Sequence, residues 1–479
     1  MRLDNLREWM KKVESFGELK KINGADWNLE LGGINEVYHT ACRRKGKTAP
    51  VLLFDEIKGY PPGYRVLTNS LSSVKRIALT LGIESTDLNK LEFINAVREK
   101  LKNVVPVAPK YVSTGPVMEN IDEGEHVDLL KFPAPFWHEH DGGRYIGTGC
   151  LVITKDPDEG WVNLGTYRVM LHDKSTMAFY ISPGKHGRIH REKYFQRNKP
   201  CPVTVIVGPG PLSFMLSGKE IDYGVSEFDY AGGIQGEPVE LIQGDNGLPI
   251  PASAEIAIEG EAIPGELARE GPFGEWTGYY GSSAREEPVI RVKRVLYRNQ
   301  PILVGAPPSK PPNENSFYSC ILRSALIWNE VERNGIPDLQ GIFCHDPGAH
   351  RLFVVISIKQ RYSGHAKQAA LITSQCHAAA YLGRYIIVVD EDIDISSLDD
   401  VVWAMCTRTD PEYDIDIVRR CWSGPLDPIV PAGRKGFSSR AIVDACKPYE
   451  RLDTFPRVAQ VSPEMRRNIL KKWAPIFRE

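Results

Sequence analysis

The sequence predicts three domains, in which a β-rich central region lies between two lobes of mixed α/β structure. A chain of 479 residues is longer than a single hydrophobic core usually supports. Proline-rich stretches at 105–117 and 306–313 interrupt the chain, because each proline withholds an amide hydrogen from a helix or sheet. We therefore predict domains over residues 1–116, 117–306 and 307–479.

The first hundred residues alternate helical and strand patterns. Apolar residues recur at helical spacing in the segments 6–13, 74–81 and 93–101. Residues 51–54 form a short apolar run that is typical of a buried strand. We therefore expect an α/β lobe at the N-terminus.

The central region consists mostly of strand patterns. Residues 150–154, 203–207 and 255–258 are rich in β-branched side chains, and 289–297 alternates apolar with charged residues. Glycine and proline separate these short runs. Many short strands with little helix predict a β-barrel or a β-sandwich.

The C-terminal region returns to α/β patterns. Residues 352–358 and 385–389 have the pattern of buried strands, and an alanine-rich helical pattern at 364–383 stops at a glycine. Ser462 and Pro463 predict the start of a last helix, since serine caps helices and proline suits their first turn. The apolar stripe of this helix consists of Met465, Ile469 and Trp473. Such a stripe needs a partner, either in its own domain or in another subunit.

Composition argues against several classes of function. The 59 basic and 61 acidic side chains are interspersed and give a formal net charge of −2, which argues against a nucleic-acid surface or a polybasic membrane anchor. The N-terminus is charged where a signal peptide needs apolar residues, and no segment has the length of a membrane span, so we expect a cytoplasmic protein. The nine cysteines are spread singly without a C-x-x-C pair, which indicates neither a zinc ribbon nor a disulfide framework.

The stretch 270–280 is the main candidate for proton chemistry. Glu270 and Glu275 lie on either side of the turn Gly271-Pro272-Phe273-Gly274, whose small residues allow a backbone to come close to a ligand. Aromatic residues in and after this turn are suited to wall a pocket. Paired carboxylates in such a place point to general acid–base catalysis.

Other polar motifs are weak signals when taken singly. The chain lacks a P-loop and a complete G-x-G-x-x-G fingerprint, which disfavours the nucleotide-binding folds that carry them. His186 and His190 have the i, i+4 spacing of a metal pair, but most such pairs are structural. If residues 160–168 form a strand, Asn163 and Arg168 point to opposite faces of that strand. Glu227, in a turn-like stretch, has the ordinary character of a solvated loop charge.

These motifs gain meaning because they occur together and in order. They are Asn163 with Arg168, Lys185-His186, Gly224-Val225-Ser226-Glu227 and Glu270 to Glu275, with further echoes at Asp141-Gly142-Gly143, Gly364-His365-Ala366-Lys367, Val401-Val402-Trp403-Ala404 and 438–445. In this combination the chain resembles the UbiD family of decarboxylases, which use prenylated FMN. The resemblance extends over nearly the whole chain.

The resemblance implies a fold and a cofactor site. It implies a central split β-barrel related to flavin reductases, between an N-terminal α/β lobe and a C-terminal α/β lobe used in oligomerisation. Asn163, His186 and Glu227 would ligate Mn²⁺ or Mg²⁺ at the cofactor phosphate, with a K⁺ nearby, and this donor set suits such cations. Lys367 and Arg384 are further candidates for the phosphate. The other residues implied to line the cofactor are Thr166, Tyr167, Arg168, Tyr180, Ile181, Ser182 and Lys185.

Arg168, Glu270 and Glu275 match the catalytic Glu-Arg-Glu network of the family. Loss of CO₂ leaves an electron pair on carbon, for which the modified flavin provides the electron sink. The resemblance implies that Glu275 is the general acid, so burial should raise its pKa while Arg168 keeps Glu270 ionised. The alternative is a buried ion network that only braces the fold.

The resemblance also implies an activity and partners. The expected reaction is reversible, non-oxidative decarboxylation of a hydroxybenzoate-type aromatic acid or of an α,β-unsaturated acid. Gly165 stands where cinnamate-type members have serine, which weakens a cinnamate assignment. The implied partners are the acid, CO₂ and a flavin prenyltransferase that supplies the cofactor, with assembly as a homodimer or homohexamer. Two alternatives stay open: a split-barrel FMN oxidoreductase that consumes NAD(P)H, and a non-catalytic subunit of a carboxylase complex.

Overall fold

The computed structural model describes residues 3–84, 88–219, 224–434 and 436–477, and the strands of this part of the chain form five sheets. In the N-terminal lobe, β1 pairs with β2 in parallel, and β2 pairs with β3 antiparallel. The helices and the strand that the sequence predicts here are confirmed. The elements are α1 (Leu6–Ser15), β1 (Leu19–Asn23), α2 (Glu30–Arg44), β2 (Val51–Asp55), β3 (Arg65–Thr68), α3 (Val74–Leu81) and α4 (Lys90–Lys102).

Helix α1 illustrates how the sequence pattern sets the packing of this lobe. Asn5 caps the helix because its side chain accepts a hydrogen bond from the Glu8 backbone N–H. The apolar stripe of α1 is buried against the first sheet. Within that stripe, the Trp9 indole donates to Thr80 Oγ1 of α3 at 3.0 Å. The stripe therefore holds α3 and the sheet together.

The central region is built on a seven-stranded sheet. Its strand order is β10-β15-β14-β11-β7-β8, and β5 also pairs with β15. The four predicted strands of this region are confirmed as β7, β11, β14 and β15. The elements are β4 (Lys110–Tyr111), β5 (Asn120–Glu123), β6 (Tyr145–Gly147), β7 (Cys150–Lys155), β8 (Val162–Gly165), β9 (Val169–Met170), β10 (Thr176–Ala178), α5 (His186–Gln196), β11 (Cys201–Val207), α6 (Pro211–Ser217), α7 (Glu227–Gln235), β12 (Glu240–Gln243), β13 (Pro249–Pro251), β14 (Ile256–Glu270), β15 (Arg285–Tyr297) and β16 (Ile302–Val304).

The central sheet is open in the part of the chain that the structure describes. Its order ends at β10 on one side and at β8 on the other, and these two strands do not pair with each other. The mixed α/β organisation is confirmed, whereas the split β-barrel stays a prediction. The long hairpin of β14 and β15 reaches Glu270, so the main sheet ends at the candidate catalytic turn.

β16 links the central region to the N-terminal lobe. It pairs in parallel with β3, in a register that runs from Ile302 opposite Arg65 to Val304 opposite Leu67. The N-terminal sheet therefore has the order β1-β2-β3-β16. Strand pairing thus crosses the predicted boundary between the first two domains.

The C-terminal lobe contains a mixed five-stranded sheet in the order β17-β18-β19-β21-β20. The two predicted strands are confirmed as β18 and β19. The predicted helix at 364–383 is in two pieces, because Cys376 between them has an extended backbone with φ −63° and ψ 152°. The elements are α8 (Glu314–Arg333), β17 (Leu339–Cys344), β18 (Phe353–Ile358), α9 (His365–Gln375), α10 (His377–Ala380), β19 (Tyr385–Asp390), α11 (Leu398–Arg408), β20 (Ile415–Trp422), β21 (Phe437–Ala445) and α12 (Pro463–Lys472).

The last helix, α12, begins as the sequence predicts. The Ser462 side chain accepts a hydrogen bond from the Met465 backbone N–H, and Pro463 occupies the first turn. Met465 and Trp473 on its apolar stripe are 52% and 51% exposed, so the described part of the chain does not cover them. Among the described helices, none combines the length and the apolar character that crossing a membrane requires.

The three regions share packing. One hydrophobic cluster contains Phe93 from the N-terminal lobe, Phe228 from the central region and Ile356 from the C-terminal lobe. A partly buried ion pair adds to the connection between the N-terminal lobe and the central region. Arg7 of α1 donates from Nε and Nη2 to the two oxygens of Glu255, each at 2.8 Å, and Glu255 is fully buried beside β14.

We expect Arg7→Ala to lower the apparent free energy of unfolding by about 2 kcal/mol, since the substitution leaves the buried Glu255 carboxylate with poorer compensation. The measurement is thermal and denaturant unfolding of the full chain. Lys11→Ala on the exposed face of the same helix is the matched control and should change stability by less than about 0.5 kcal/mol. Equal stability of the two variants would contradict a role for this ion pair.

Candidate active site

A cavity of about 380 Å³ lies where the central region meets the C-terminal lobe. Most of the residues predicted for the site line it. Two do not: Ile181 is buried in a hydrophobic cluster, and Glu270 is buried behind Arg168. His190 lies elsewhere, bonded through Nδ1 to Thr154 Oγ1 at 3.0 Å, so the His186/His190 spacing does not form a pair in the cavity. The predicted residues that line the cavity are Asn163, Thr166, Tyr167, Arg168, Tyr180, Ser182, Lys185, His186, Glu227 and Glu275.

The expectation that Asn163 and Arg168 point to opposite faces is wrong, since both line the cavity. Strand β8 ends at Gly165, so the alternation of side chains ends there as well.

Thr166, the first residue after β8, is held by the C-terminal end of α6. Its backbone N–H donates to Ser217 O at 3.2 Å, and its hydroxyl lies 2.6 Å from Ser217 Oγ.

Glu270 is fixed from two sides. Arg168 donates to it from Nε and Nη2, each at 2.8 Å, and the Tyr145 hydroxyl donates to Glu270 Oε1 at 3.0 Å. Such a bidentate pair is a strong, geometrically specific hydrogen-bond arrangement. Burial and the neighbouring Glu270 carboxylate raise the pKa of the Tyr145 hydroxyl, which keeps it a donor. Glu270 is therefore held in one position.

The side chain of Glu275 has fewer hydrogen bonds than that of Glu270. It contacts Nη1 of Arg168, and its backbone forms a turn in which Glu275 N donates to Tyr279 O and Gly278 N donates to Glu275 O. Burial raises the pKa of Glu275 above its ordinary value, against the opposing effect of Arg168. Burial also disfavours a charged Arg168, but Glu275 and Glu270 together raise its pKa, so the guanidinium stays charged. Glu275 therefore takes up a proton more readily than an exposed glutamate does.

Asn163, His186 and Glu227 lie at another wall of the same cavity. Glu227 and His186 are the first residues of α7 and α5. Glu227 accepts a hydrogen bond from the Leu164 backbone N–H at 2.8 Å, which places its carboxylate beside Asn163. Burial raises the pKa of Glu227 to about 8, and burial with nearby Lys185 and His377 lowers that of His186.

The three side chains offer a donor set that fits a hard divalent cation. Together they present an amide, a neutral imidazole and a carboxylate. Glu227 is bonded to backbone amides, and the described residues place no cation beside it. Among the described residues, no group of three His, Cys, Asp or Glu side chains is placed to hold a metal ion. The set of Asn163, His186 and Glu227 has only two side chains of these types, and its third member is an amide.

Sequence reasoning missed the wall that the C-terminal lobe contributes. Lys367 and Arg384 are not part of it, because they pair with Asp416 and Asp427 outside the cavity. His350 does line the cavity, with its ring centroid 5.6 Å from that of Trp276, next to Glu275. The sequence predicts aromatic walls from the stretch 270–280, and Phe273 and Trp276 of that stretch do line the cavity. No motif in the sequence marks the other lining residues. They include Phe214 and Lys219 of the central region and Tyr318, His350, Arg351, His377, Tyr381, Leu382, Trp422 and Leu426 of the C-terminal lobe.

Comparison with protein families accounts for this arrangement. The UbiD family models, described as 3-octaprenyl-4-hydroxybenzoate carboxy-lyase domains, match the N-terminal domain at residues 10–93, the Rift-related domain at 110–311 and the C-terminal domain at 316–445. The chain belongs to the UbiD family. The resemblance that the motifs indicated is confirmed, and with it the enzyme class: UbiD proteins are decarboxylases.

Similarity to individual UbiD proteins extends over more than nine tenths of their length. The chain is 31% identical to a pyrrole-2-carboxylic acid decarboxylase of Pseudomonas aeruginosa, over 98% of this chain and 97% of that protein. It is 30% identical to a phenolic acid decarboxylase of Sedimentibacter hydroxybenzoicus, over 93% and 92% of the two chains. Among solved structures, the UbiD-class enzyme HmfF of Pelotomaculum thermopropionicum in complex with FMN matches with a TM-score of 0.85 at 28% identity, over 98% of this chain and 100% of that chain.

The Asp141-Gly142-Gly143 motif of this UbiD protein contacts the turn that carries the candidate catalytic glutamates. Gly142 N donates to Pro272 O at 2.7 Å. A Cβ on Gly142 would lie 2.0 Å from Gly271 O, a contact with rigid backbone, whereas a Cβ on Gly143 would meet the flexible Met170 side chain at 3.1 Å. The two neighbouring glycines therefore have different tolerance for a methyl group.

We expect Gly142→Ala to lower stability by about 2 kcal/mol, because the new methyl group must displace the turn that begins at Gly271. Gly143→Ala, the matched control, should cost less than about 1 kcal/mol, since a methionine side chain can adjust. Thermal unfolding of both full-length variants measures the difference. A stable Gly142→Ala protein would contradict the close approach of these two segments.

Proposed function

We propose that this protein is a prenylated-FMN-dependent decarboxylase that reversibly removes CO₂ from an aromatic carboxylic acid. One observation carries the proposal: two buried carboxylates, Glu270 and Glu275, share the single guanidinium of Arg168 at the wall of the cavity. The carboxylates are held differently, one in a bidentate pair and the other by a single contact with a raised pKa. That difference suits one fixed anion and one proton donor.

The cavity suits an anionic, planar cofactor in a central region that we propose to be a split β-barrel related to flavin reductases. A solved relative, HmfF, is described in complex with FMN, and an evolved dimeric form of it in complex with prenylated FMN. Among the described residues that line the cavity, Glu227 and Glu275 are acidic, and four side chains are basic. The basic residues are Arg168, Lys185, Lys219 and Arg351.

The proposed metal is Mn²⁺ or Mg²⁺, held by Asn163, His186 and Glu227 at the cofactor phosphate, with K⁺ as a further part of the proposal. A divalent cation would neutralise the buried Glu227 carboxylate and pair with a phosphate dianion. Thr166, Tyr180 and the neighbouring residues of the cavity wall would line the flavin. Ile181, which the resemblance also implied, would act from behind the wall as part of the core.

When bound, prenylated FMN supplies the electron sink for the electron pair that loss of CO₂ leaves on carbon. The chain supplies position and a proton. The aromatic walls Tyr180, Phe273 and Trp276 hold a planar acid and exclude water. Glu275 then donates its proton to the carbon that has lost CO₂, and Arg168 stabilises the carboxylate that results. In carboxylation, Glu275 accepts the proton back.

The proposed substrate is an aromatic acid, with hydroxybenzoate-type acids favoured over α,β-unsaturated ones. Named relatives are a pyrrole-2-carboxylic acid decarboxylase and a phenolic acid decarboxylase, and pyrrole-2-carboxylic acid carries its carboxyl group on an electron-rich ring. A panel of hydroxybenzoates, pyrrole-2-carboxylate and cinnamate, tested on the cofactor-loaded enzyme, distinguishes these classes.

The proposed partners are a flavin prenyltransferase, which would supply the cofactor, and further copies of this chain. We propose a homodimer or homohexamer assembled through the C-terminal lobe. The exposed apolar stripe of α12 supports a further contact between this helix and another copy of the chain.

We expect Glu275→Gln to reduce turnover by about 100-fold or more, because the amide cannot donate the required proton. Cofactor binding should persist, since the amide has nearly the same shape. The protein is co-expressed with a flavin prenyltransferase, and CO₂ release, ring H/D exchange and bound flavin are measured.

Glu286→Gln provides the matched control, because this exposed carboxylate lies on β15 outside the cavity. It should have wild-type turnover. Undiminished turnover of a normally loaded Glu275→Gln enzyme would remove the proposed acid role. Oxidation of NAD(P)H by the wild-type protein would favour the oxidoreductase alternative.

Turnover in the decarboxylation direction should fall as pH rises. Glu275 must be protonated to act, and its folded-state pKa lies above the ordinary value, so the active form persists to a higher pH than for an exposed glutamate and is lost above that pKa. A pH profile of kcat for loaded enzyme measures this alkaline limb. The residual activity of Glu275→Gln should not show this fall of kcat with rising pH. If the fall persists in that variant, another group causes it.

A further inference from the structure

Tyr167 occupies an unusual place between two glycines. A Cβ on Gly165 would lie 2.1 Å from Cζ and 2.4 Å from the hydroxyl of Tyr167, and a Cβ on Gly187 would lie 2.8 Å from its ring. The phenol ring therefore fills the space that a side chain at position 165 would need. Gly165 ends β8, and Gly187 directly follows His186 at the start of α5.

The Tyr167 hydroxyl lies among the proposed metal ligands. It accepts hydrogen bonds from Gly187 N at 3.3 Å and from Asn163 Nδ2 at 3.5 Å. The side-chain oxygen of Asn163 is consequently the end of the amide that does not face the phenol. A cation binds an amide through its oxygen, and with Nδ2 toward the phenol Asn163 has its ligand atom on the other side.

We infer that Tyr167 is a positioning residue for the divalent cation at Asn163, His186 and Glu227, and that its ring is the reason why position 165 has no side chain. The inference rests on the proposed function, which assigns those three ligands. Tyr167 fixes the Asn163 amide directly and fixes the His186 backbone through the adjacent Gly187 N–H. A serine at position 165 would collide with a ring in this place.

A purely packing role is the alternative, and metal affinity separates the two. Groups that orient a metal ligand typically change affinity by about 10- to 100-fold when they are removed. Tyr167→Phe keeps the ring and deletes the hydroxyl. The inference predicts about 10-fold weaker Mn²⁺ binding, whereas packing alone predicts unchanged Mn²⁺ binding.

The experiment titrates Mn²⁺ into full-length apo-protein reconstituted with FMN and follows free Mn²⁺ by electron paramagnetic resonance. Tyr194→Phe is the matched control, because Tyr194 lies on α5 against the core and outside the cavity. Weakened binding in Tyr167→Phe alone supports the inference. Equal binding in wild type and Tyr167→Phe overturns it and leaves the proposed function intact. A wild-type protein that binds no Mn²⁺ overturns both the metal assignment and the inference.

A double substitution tests the steric half of the inference. Gly165→Ala alone should lower the melting temperature and weaken Mn²⁺ binding, because its methyl group collides with the ring. Combined with Tyr167→Ala, which vacates that space, Gly165→Ala should cause no further loss of melting temperature. Additive losses in the double variant, or a Gly165→Ala protein with wild-type stability, would overturn the claim that the ring excludes a side chain from position 165.

Discussion

The contact between one guanidinium and two buried carboxylates is the constraint on which the rest of the cavity depends. Arg168, Glu270 and Glu275 would carry a net negative charge if all three were ionised in a site with little solvent. Burying unbalanced charge is costly by several kcal/mol. The arrangement eases part of this cost because burial raises the pKa of Glu275, so that this carboxyl group takes up a proton more readily than an exposed glutamate does. The same electrostatics that permit folding therefore favour a protonated acid beside the cavity.

The neighbouring structure enforces this division between the carboxylates. Glu270 ends the long strand β14, where the sheet fixes its backbone, and Tyr145 provides an additional hydrogen bond. Glu275 lies in the turn beyond the sheet, so its side chain depends on a single partner group. A carboxylate on a strand is thus suited to remain still, and one on a turn is suited to exchange protons.

Local sequence patterns predicted much of the fold. The stripe of α1 and the β-branched runs of β7 and β11 were readable because burial follows the helical and strand periods directly. The sequence of the central strands did not reveal their order in the sheet, since pairing between distant strands leaves no local signal. The break at Cys376 was missed for a related reason. Alanine-rich sequence on both sides has the same helical propensity, and tertiary packing decides where the helix stops.

The candidate site was predictable only where residues form a motif. Asn163, His186, Glu227 and Glu275 stand in recognisable order along the chain, and the structure brings them to one cavity. The opposite wall escaped prediction because His350 and His377 stand in unremarkable local sequence and reach the cavity through the packing of a separate lobe. The prediction for the orientation of Arg168 was wrong because it continued the alternation of strand side chains beyond Gly165, where β8 ends.

The position of β16 has a consequence for dividing the protein into pieces. This strand follows the whole central region in the chain, yet it completes the N-terminal sheet by pairing with β3. A fragment that ends at the first proline-rich stretch would leave the hydrogen-bonding edge of β3 open, and open edges recruit other chains. The N-terminal lobe can finish its sheet only after the central region has been synthesised. Recombinant dissection of the protein should therefore keep these two regions on one polypeptide.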